Sequence, residues 1–264
     1  MMPANPRHVL ITGSTSGIGE AAAIAFARGG DTVYVNGRDA DRTEAAAERI
    51  RAAVGDAGGD IVAVAADIAT EDGAEQIFAA ISNLDVLVNN AGIYTESAPF
   101  EISDDEWRRH FEVNVLSGVR LTRHYAPRMA ERAWGRVIFI SSECAVTTPP
   151  EMIHYGMTKS AQLAVSRGFA IGVAGTGVTV NCVLPGPTRT PGAEEFLAKM
   201  YGGIPFEEAE KQYFAEIRPT SLIRRFCLPS EVANLIHYVA SEGASATTGA
   251  ALRVDGGVIA TIIP

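Results

Sequence analysis

The chain has 264 residues, 47% of them hydrophobic and 20% charged, with a formal net charge of −9. That balance describes a globular chain rather than a disordered one, and the acidic excess excludes a protein that coats nucleic acid, which needs a basic face. Three widely spaced cysteines (Cys144, Cys182, Cys227) form neither a disulfide framework nor a zinc pattern, and no apolar run reaches the ~18 to 20 residues of a membrane span.

The opening MMPANPRHVLITG passes from a short polar tail into a strand-like run without a signal-peptide core, so a cytoplasmic location with no membrane partner is expected. HVLIT (8–12) is the first predicted strand, followed by an Ala-rich helix from about Gly17 to Arg28. TVYVN (32–36) precedes a charged amphipathic helix over about Ala40 to Val54. IVAVA (61–65) and LDVLVN (84–89) each stand beside further helical patterns. RVIFIS (136–141) leads through a Pro-containing loop into a helix from about Ile153 to Ala174. VTVNCVL (178–184) stops at Pro185, and ALRV (251–254) closes the series. Continuous apolar strands spaced by helices predict an α/β protein with a parallel sheet covered on both faces. With no linker-like shift in composition, 1–264 reads as one domain. Residues 188–220 are polar, helix-prone and broken by Gly-Gly and Pro; they are expected to form a lid over the ligand.

TGSTSGIG (12–19) joins the first strand to the first helix. Gly13 permits a tight turn, Gly17 lets the backbone approach a pyrophosphate, and Gly19 lets the helix lie close on the sheet. Ser14, Ser16 and Ile18 share this turn, whose free N–H groups and helix dipole suit phosphates. The spacing is G-x3-G-x-G, and a purely structural turn is the alternative. Its place after the first strand of an alternating β/α chain favours a nucleotide.

HYGMTKS (154–160) sets Tyr155 and Lys159 four apart, on one face at a helix start. Ammonium and helix dipole both favour phenolate. Bringing a tyrosine from ~10 to ~7 requires about 4 kcal/mol, which a buried Lys, a cofactor charge and a helix N-terminus can supply together. An exposed Tyr and Lys on a helix is the plain alternative. Ser142, however, ends the preceding strand, at the carboxyl edge where parallel sheets bind ligands. Asn89-Asn90-Ala91-Gly92 follows another strand at the same edge, and Asn114 lies on the next helical segment.

With T-G-x3-G-I-G (12–19), Asp67, N-N-A-G (89–92), Asn114, Ser142, Y-x3-K (155–159), P-G (185–186) and V-D-G-G (254–257) in order, the chain resembles the short-chain dehydrogenase/reductase family nearly end to end. The resemblance implies a single-domain Rossmann fold, a seven-stranded parallel sheet of order 3-2-1-4-5-6-7, and a homotetramer or homodimer. It implies hydride transfer between a nicotinamide cofactor and a small alcohol or carbonyl substrate, without a metal. Tyr155 is then the general acid and base, Ser142 orients the substrate oxygen, and Lys159 lowers the Tyr155 pKa and holds the nicotinamide ribose. Asn114 anchors a proton-relay water. Asp67 and Ile68 belong to the adenine site and Asn90 to the ribose. Thr188, where the family more often has Val or Ile, and Thr190 meet the carboxamide. An inactive cofactor-binding regulator or scaffold of the same fold is the alternative function.

An acid normally ends the second strand of NAD enzymes, roughly 20 residues beyond the glycine turn. Here TVYVNGRD offers Gly37 and then Arg38, a guanidinium suited to a 2′-phosphate. NADP(H) is therefore expected over NAD(H), with Asp39 capping the next helix and an acid introduced at Gly37 tilting the preference to NADH. Glu143 and Cys144 stand where the family usually has small or apolar residues; Glu143 reads first as a surface or structural carboxylate, with a ligand for a substrate amine or hydroxyl as the alternative, and Cys144 as pocket wall. The five histidines show no ligand spacing, and His154 is expected to face away from Tyr155.

Overall fold

The protein was analysed as a computed structural model that describes residues 6–263; most of the polar N-terminal tail lies outside them. Seven strands form the sheet: β1 (His8–Ile11), β2 (Thr32–Gly37), β3 (Ile61–Ala65), β4 (Val86–Asn89), β5 (Gly135–Ile140), β6 (Val178–Pro185) and β7 (Ala251–Val254). Their order is β3-β2-β1-β4-β5-β6-β7, all parallel, as expected from the sequence. The predicted strands start or stop within two residues of these limits. LDVLVN loses its first two residues because Leu84 and Asp85 form the approach to β4, where the Asp85 carboxylate accepts the His8 N–H at 2.9 Å.

Alternation along each strand divides the core. Val9 and Ile11 face one side with α1 (Gly17–Arg28), α2 (Ala40–Val54) and α9 (Pro229–Val239). Leu10 faces the other with Ile77 of α3 (Glu71–Ala80), Leu121 and Tyr125 of α5 (Ser117–Glu131), and Ala170 of α6 (Ile153–Gly172). Residues buried on both faces explain why the strands read as unbroken apolar runs. Asp39 caps α2, accepting the Arg42 N–H at 2.9 Å.

Two departures bear on the site. Between α4 (Asp104–Phe111) and α5, residues Glu112–Leu116 form a π-helical turn, and Asn114 lies in it; such turns widen a helix locally and concentrate at functional sites. Residues 188–220 form α7 (Pro191–Met200) and α8 (Phe206–Glu216). They pack around a separate cluster of Leu197, Ala209, Tyr213, Phe214 and Phe226, joined through Gly202 and Gly203 at φ +65° and +77°. No described helix is long and apolar enough to cross a membrane.

Candidate active site

The strand order reverses between β1 and β4, and the carboxyl ends of β4, β5 and β6 open into a cavity of about 320 Å³. Ile18, Asn90, Ser142, Tyr155, Lys159, Thr188 and Thr190 line it. Gly13, Ser14, Ser16, Gly17 and Gly19 form the adjoining turn, while Arg38, Asp67 and Ile68 follow the ends of β2 and β3. Seven predicted residues thus share the cavity wall, and the others stand outside it.

The turn is built for close approach. Gly13 (φ +61°) abuts Ala91, whose Cα would lie 2.8 Å from an added Cβ. Gly17 (φ +60°) faces the Thr190 side chain at 3.0 Å in the same sense. Gly19 serves a different contact from the one expected: a Cβ there would meet Asn90 Nδ2 at 2.6 Å and Gly13 O at 2.7 Å, so it closes the turn onto the N-N-A-G loop rather than the helix onto the sheet. Ser14 is also redirected. Its hydroxyl donates to Ile11 C=O and accepts the Asn36 N–H, and its own N–H donates to Asn36 C=O. It stitches the turn to β2 and has no free donor for a ligand.

Ser16 stands at the N-cap of α1 without a side-chain cap bond, unlike Asp39, Thr70, Ser103 and Thr190 at their helices. The first intrahelical bond runs from Glu20 N–H to Ser16 C=O at 3.3 Å, so the N–H groups of Gly17, Ile18 and Gly19 have no helical acceptor. Free donors, positive dipole and a glycine cradle fit a pyrophosphate. Asn90 spends its amide on Thr12 and Gly13 carbonyls (2.8 and 3.0 Å) and its N–H on Thr12 and Val88. Asp67 is exposed, with one oxygen accepting the Ala69 N–H at 3.1 Å; the Ile68 side chain is buried in the core. Thr190 caps α7, and the Thr188 hydroxyl donates to Gly186 C=O.

At the other end, Lys159 Nζ lies 5.5 Å from the Tyr155 ring centroid and donates to Ile140 C=O at 2.8 Å. Burial holds Lys159 down to about 8. Tyr155 does not follow the downward expectation in this structure. Burial, then Cys144 and then Glu143, pushes its phenol up, only partly offset by the neighbouring Ser142. The chain's own groups thus leave the phenol protonated, the form needed to donate to a carbonyl. Both amide protons of Asn114 are used: Oδ1 accepts the Ile93 N–H (2.8 Å), and Nδ2 donates to Ile93 C=O and Thr158 Oγ1 (2.9 Å each). Its own C=O accepts from Gln162 Nε2 at 2.6 Å. It clamps the loop after β4 to α6.

Lys159 carries a stability consequence. Its folded value near 8 lies below its ordinary 10.5, so between these values the unfolded chain binds more protons and native stability rises with pH. Below about 8 the buried ammonium's cost is fully present, on the order of 3 kcal/mol at ~1.4 kcal/mol per pKa unit. Lys159→Met should therefore be more stable than wild type by on the order of 2 kcal/mol near neutrality, with the gain shrinking from pH ~8 to ~10.5. Urea unfolding at neutral and alkaline pH checks this; a less stable variant at neutrality contradicts it.

Several residues of the site were not visible in sequence. Glu143, read as a surface or structural carboxylate ahead of a ligand for a substrate amine or hydroxyl, is only 6% exposed and lines the cavity. It accepts a hydrogen bond from the Ser142 hydroxyl at 2.6 Å and faces Arg218 of the 188–220 segment at 3.6 Å. The histidines, without ligand spacing in the chain, are partly gathered by the fold: Glu106, His110 and His154 converge within 4.8 Å. The Thr95 hydroxyl is common to them, 2.8 Å from His154 Nε2, 2.9 Å from Glu106 Oε1 and 3.5 Å from His110 Nε2. This buried network braces the start of α6, and His154 turns into it. Arg49 donates to Thr15 C=O (2.9 Å) and to Glu20, holding the glycine turn from α2. No sequence signal marks the contacts of Arg218 with Glu143, of Thr95 with His154 or of Arg49 with Thr15 and Glu20, since each joins distant segments.

A family model described as short chain dehydrogenase matches residues 7–200. The oxidoreductase YvaG of Bacillus subtilis is 44% identical over 255 residues, 96% of each chain. The structure of L-sorbose reductase from Gluconobacter frateurii, complexed with NADPH and L-sorbose, aligns over 99% of each chain at a TM-score of 0.89 and 32% identity. A 3-oxoacyl-[acyl-carrier protein] reductase with bound NAD from Brucella melitensis aligns over 96% of this chain and 91% of that one, at 0.81 and 28%. On the fold, the matched residues and these likenesses, the chain belongs to the short chain dehydrogenase family of oxidoreductases.

Proposed function

We propose that the protein is an NADP(H)-preferring oxidoreductase acting on an alcohol/carbonyl pair through Tyr155, Lys159, Ser142 and Asn114. The observation that carries this is one continuous site. The uncapped N-terminus of α1 stands at one end, and Ser142, Tyr155 and Lys159 line the cavity at the other. The nicotinamide cofactor, when bound, supplies or accepts the hydride. Gly17, Ile18 and Gly19 hold its pyrophosphate through backbone donors, Asp67 the adenine, Lys159 the nicotinamide-side ribose, and Thr188 and Thr190 the carboxamide.

Tyr155 donates its proton to the carbonyl oxygen in reduction and removes it from the alcohol in oxidation. Ser142 hydrogen-bonds the same oxygen and fixes its position. The Lys159 ammonium stabilises the phenolate left after donation. Asn114 acts by position, holding Ile93 and Thr158 so that Lys159 faces the site.

Arg38, exposed directly after β2, supports the preference for a 2′-phosphate. Position 37 cannot simply take an acid, because a Cβ there would meet Thr15 Cγ2 at 2.5 Å and Thr43 Oγ1 at 2.7 Å. The L-sorbose reductase structure holds NADPH, whereas the acyl-carrier protein reductase structure holds NAD, so the family accommodates either. Three free, buried cysteines support a reducing, cytoplasmic setting. Loss of reduced-nicotinamide absorbance with NADPH and a ketone panel tests the activity. Cofactor binding without turnover on any alcohol or carbonyl would favour the regulator reading.

The segment 188–220 acts as a lid in this reading, since Phe196, Met200, Ile217 and Arg218 reach the cavity wall. Its Gly202-Gly203 link, with nothing within 4 Å of an added Cβ at either residue, is free to hinge. Hydrogen exchange in α7 and α8 should slow by at least several-fold when cofactor and substrate are both present. Equal protection with and without them contradicts a closing lid. Phe196→Ala and Met200→Ala should alter substrate preference more than cofactor affinity.

A further inference from the structure

Glu143 follows Ser142 directly and shares its cavity. The Ser142 hydroxyl donates to Glu143 Oε2 at 2.6 Å and accepts the Cys144 N–H at 3.1 Å. A hydroxyl has a single proton, so the proton that Ser142 would turn toward a substrate carbonyl is held by Glu143. Arg218 approaches the other carboxylate oxygen at 3.6 Å, too far for a good hydrogen bond. It balances charge without replacing Ser142 as donor. A carboxylate left buried with no donor is costly, so Glu143 releases Ser142 only to another donor.

We propose that Glu143 is a specificity-determining residue that accepts a hydrogen bond from a hydroxyl on the carbon next to the substrate carbonyl, making α-hydroxy ketones and the corresponding vicinal diols the substrate class. The inference rests on the oxidoreductase reading and adds the substrate to it. Donors and acceptors balance across binding. The substrate hydroxyl takes the place of Ser142 at Glu143, and the freed Ser142 proton turns to the carbonyl oxygen. Because Ser142 Oγ and Glu143 Oε2 are adjacent, oxygens on neighbouring substrate carbons can reach both at once. A ketone without the hydroxyl leaves Glu143 competing for the Ser142 proton. Glu96 and Glu151 also line the cavity, which further favours a neutral, hydrogen-donating substrate over an anionic one.

The test compares 1-hydroxybutan-2-one with pentan-3-one, which replaces the hydroxyl by a methyl, as substrates for the NADPH-loaded protein. Wild type should favour the hydroxy ketone by about tenfold or more in kcat/KM, the range expected for a hydrogen bond to a charged group. Glu143→Ala should bring that ratio close to unity, losing activity on the hydroxy ketone and gaining it on the plain ketone. NADPH titration checks that the variant retains its site; if it does not, Glu143→Gln takes its place and should cut the ratio several-fold. Equal wild-type rates on both ketones would overturn the proposal and leave the oxidoreductase reading standing. So would a fall by the same factor on both in the variant, the sign of a structural role. No reduction of any ketone or hydroxy ketone would overturn both readings.

Discussion

Tyr155→Phe should lower turnover by ~10² to 10⁴-fold, the usual contribution of a positioned general acid, while leaving NADPH affinity within a few-fold of wild type. The phenol lies in the cavity wall beside Ser142, and its burial with Cys144 and Glu143 keeps the proton in place until a carbonyl oxygen takes it. Phenylalanine preserves the ring and its packing, so a loss of rate reports the missing proton and not a collapsed site. Lys159→Ala should differ in kind, because Lys159 is assigned to the ribose as well as to the phenolate: both turnover and cofactor affinity should fall. Steady-state kinetics with a verified substrate, alongside a cofactor titration, separates the two. A Tyr155→Phe protein that keeps more than about half its activity would show that another group donates the proton.

The second large effect concerns cofactor choice. Arg38→Ala should weaken NADPH by about tenfold or more and leave NADH little changed, since a hydrogen bond to a charged phosphate is worth ~1.5 to 3 kcal/mol. From the sequence, Gly37→Asp is the natural converse, expected to tilt the preference to NADH. The structure shows that this substitution is not clean. A side chain at 37 must displace Thr15, inside the glycine turn, and Thr43, so it would disturb the phosphate site as well as add charge. Arg38→Asp places the acid on an exposed position instead and should reverse the preference without that clash. Tighter binding of NADH than NADPH by the wild type would sink the assignment of Arg38.

The fold was legible because its signals are local. Strands buried on both faces are apolar throughout, as IVAVA is, and the period changes where Ala-rich or charged helices begin. The grouping of the candidate site residues was legible for a related reason: Tyr155 and Lys159 are one helical turn apart, and Ser142 follows the β5 run, so all three line one cavity. What failed to show in sequence depends on tertiary neighbours. Glu143 is buried, with Arg218 approaching it from a distant segment, and nothing in residues 143–153 indicates that neighbour. Gly19 was assigned to the helix–sheet contact because its alternative partner, Asn90, arrives from β4. The upward displacement of Tyr155 could not be read from the Tyr–Lys spacing, which registers the ammonium but not the Cys144 and Glu143 packed beside the phenol. The π-helical turn likewise carries Asn114 side-chain bonds to Ile93 and Thr158, both remote in the chain.

Isotope transfer tests the central claim most directly. The protein is incubated with a ketone panel that includes α-hydroxy ketones and with NADPH deuterated at both positions of the nicotinamide C4, and the alcohols are examined by mass spectrometry. A hydride-transferring enzyme that uses Tyr155 predicts one deuterium on the carbinol carbon of at least one product, with that signal falling at least ~100-fold in Tyr155→Phe. Saturated NADPH binding with no deuterium in any product would contradict the account and identify a cofactor-binding protein that retains the fold without the chemistry.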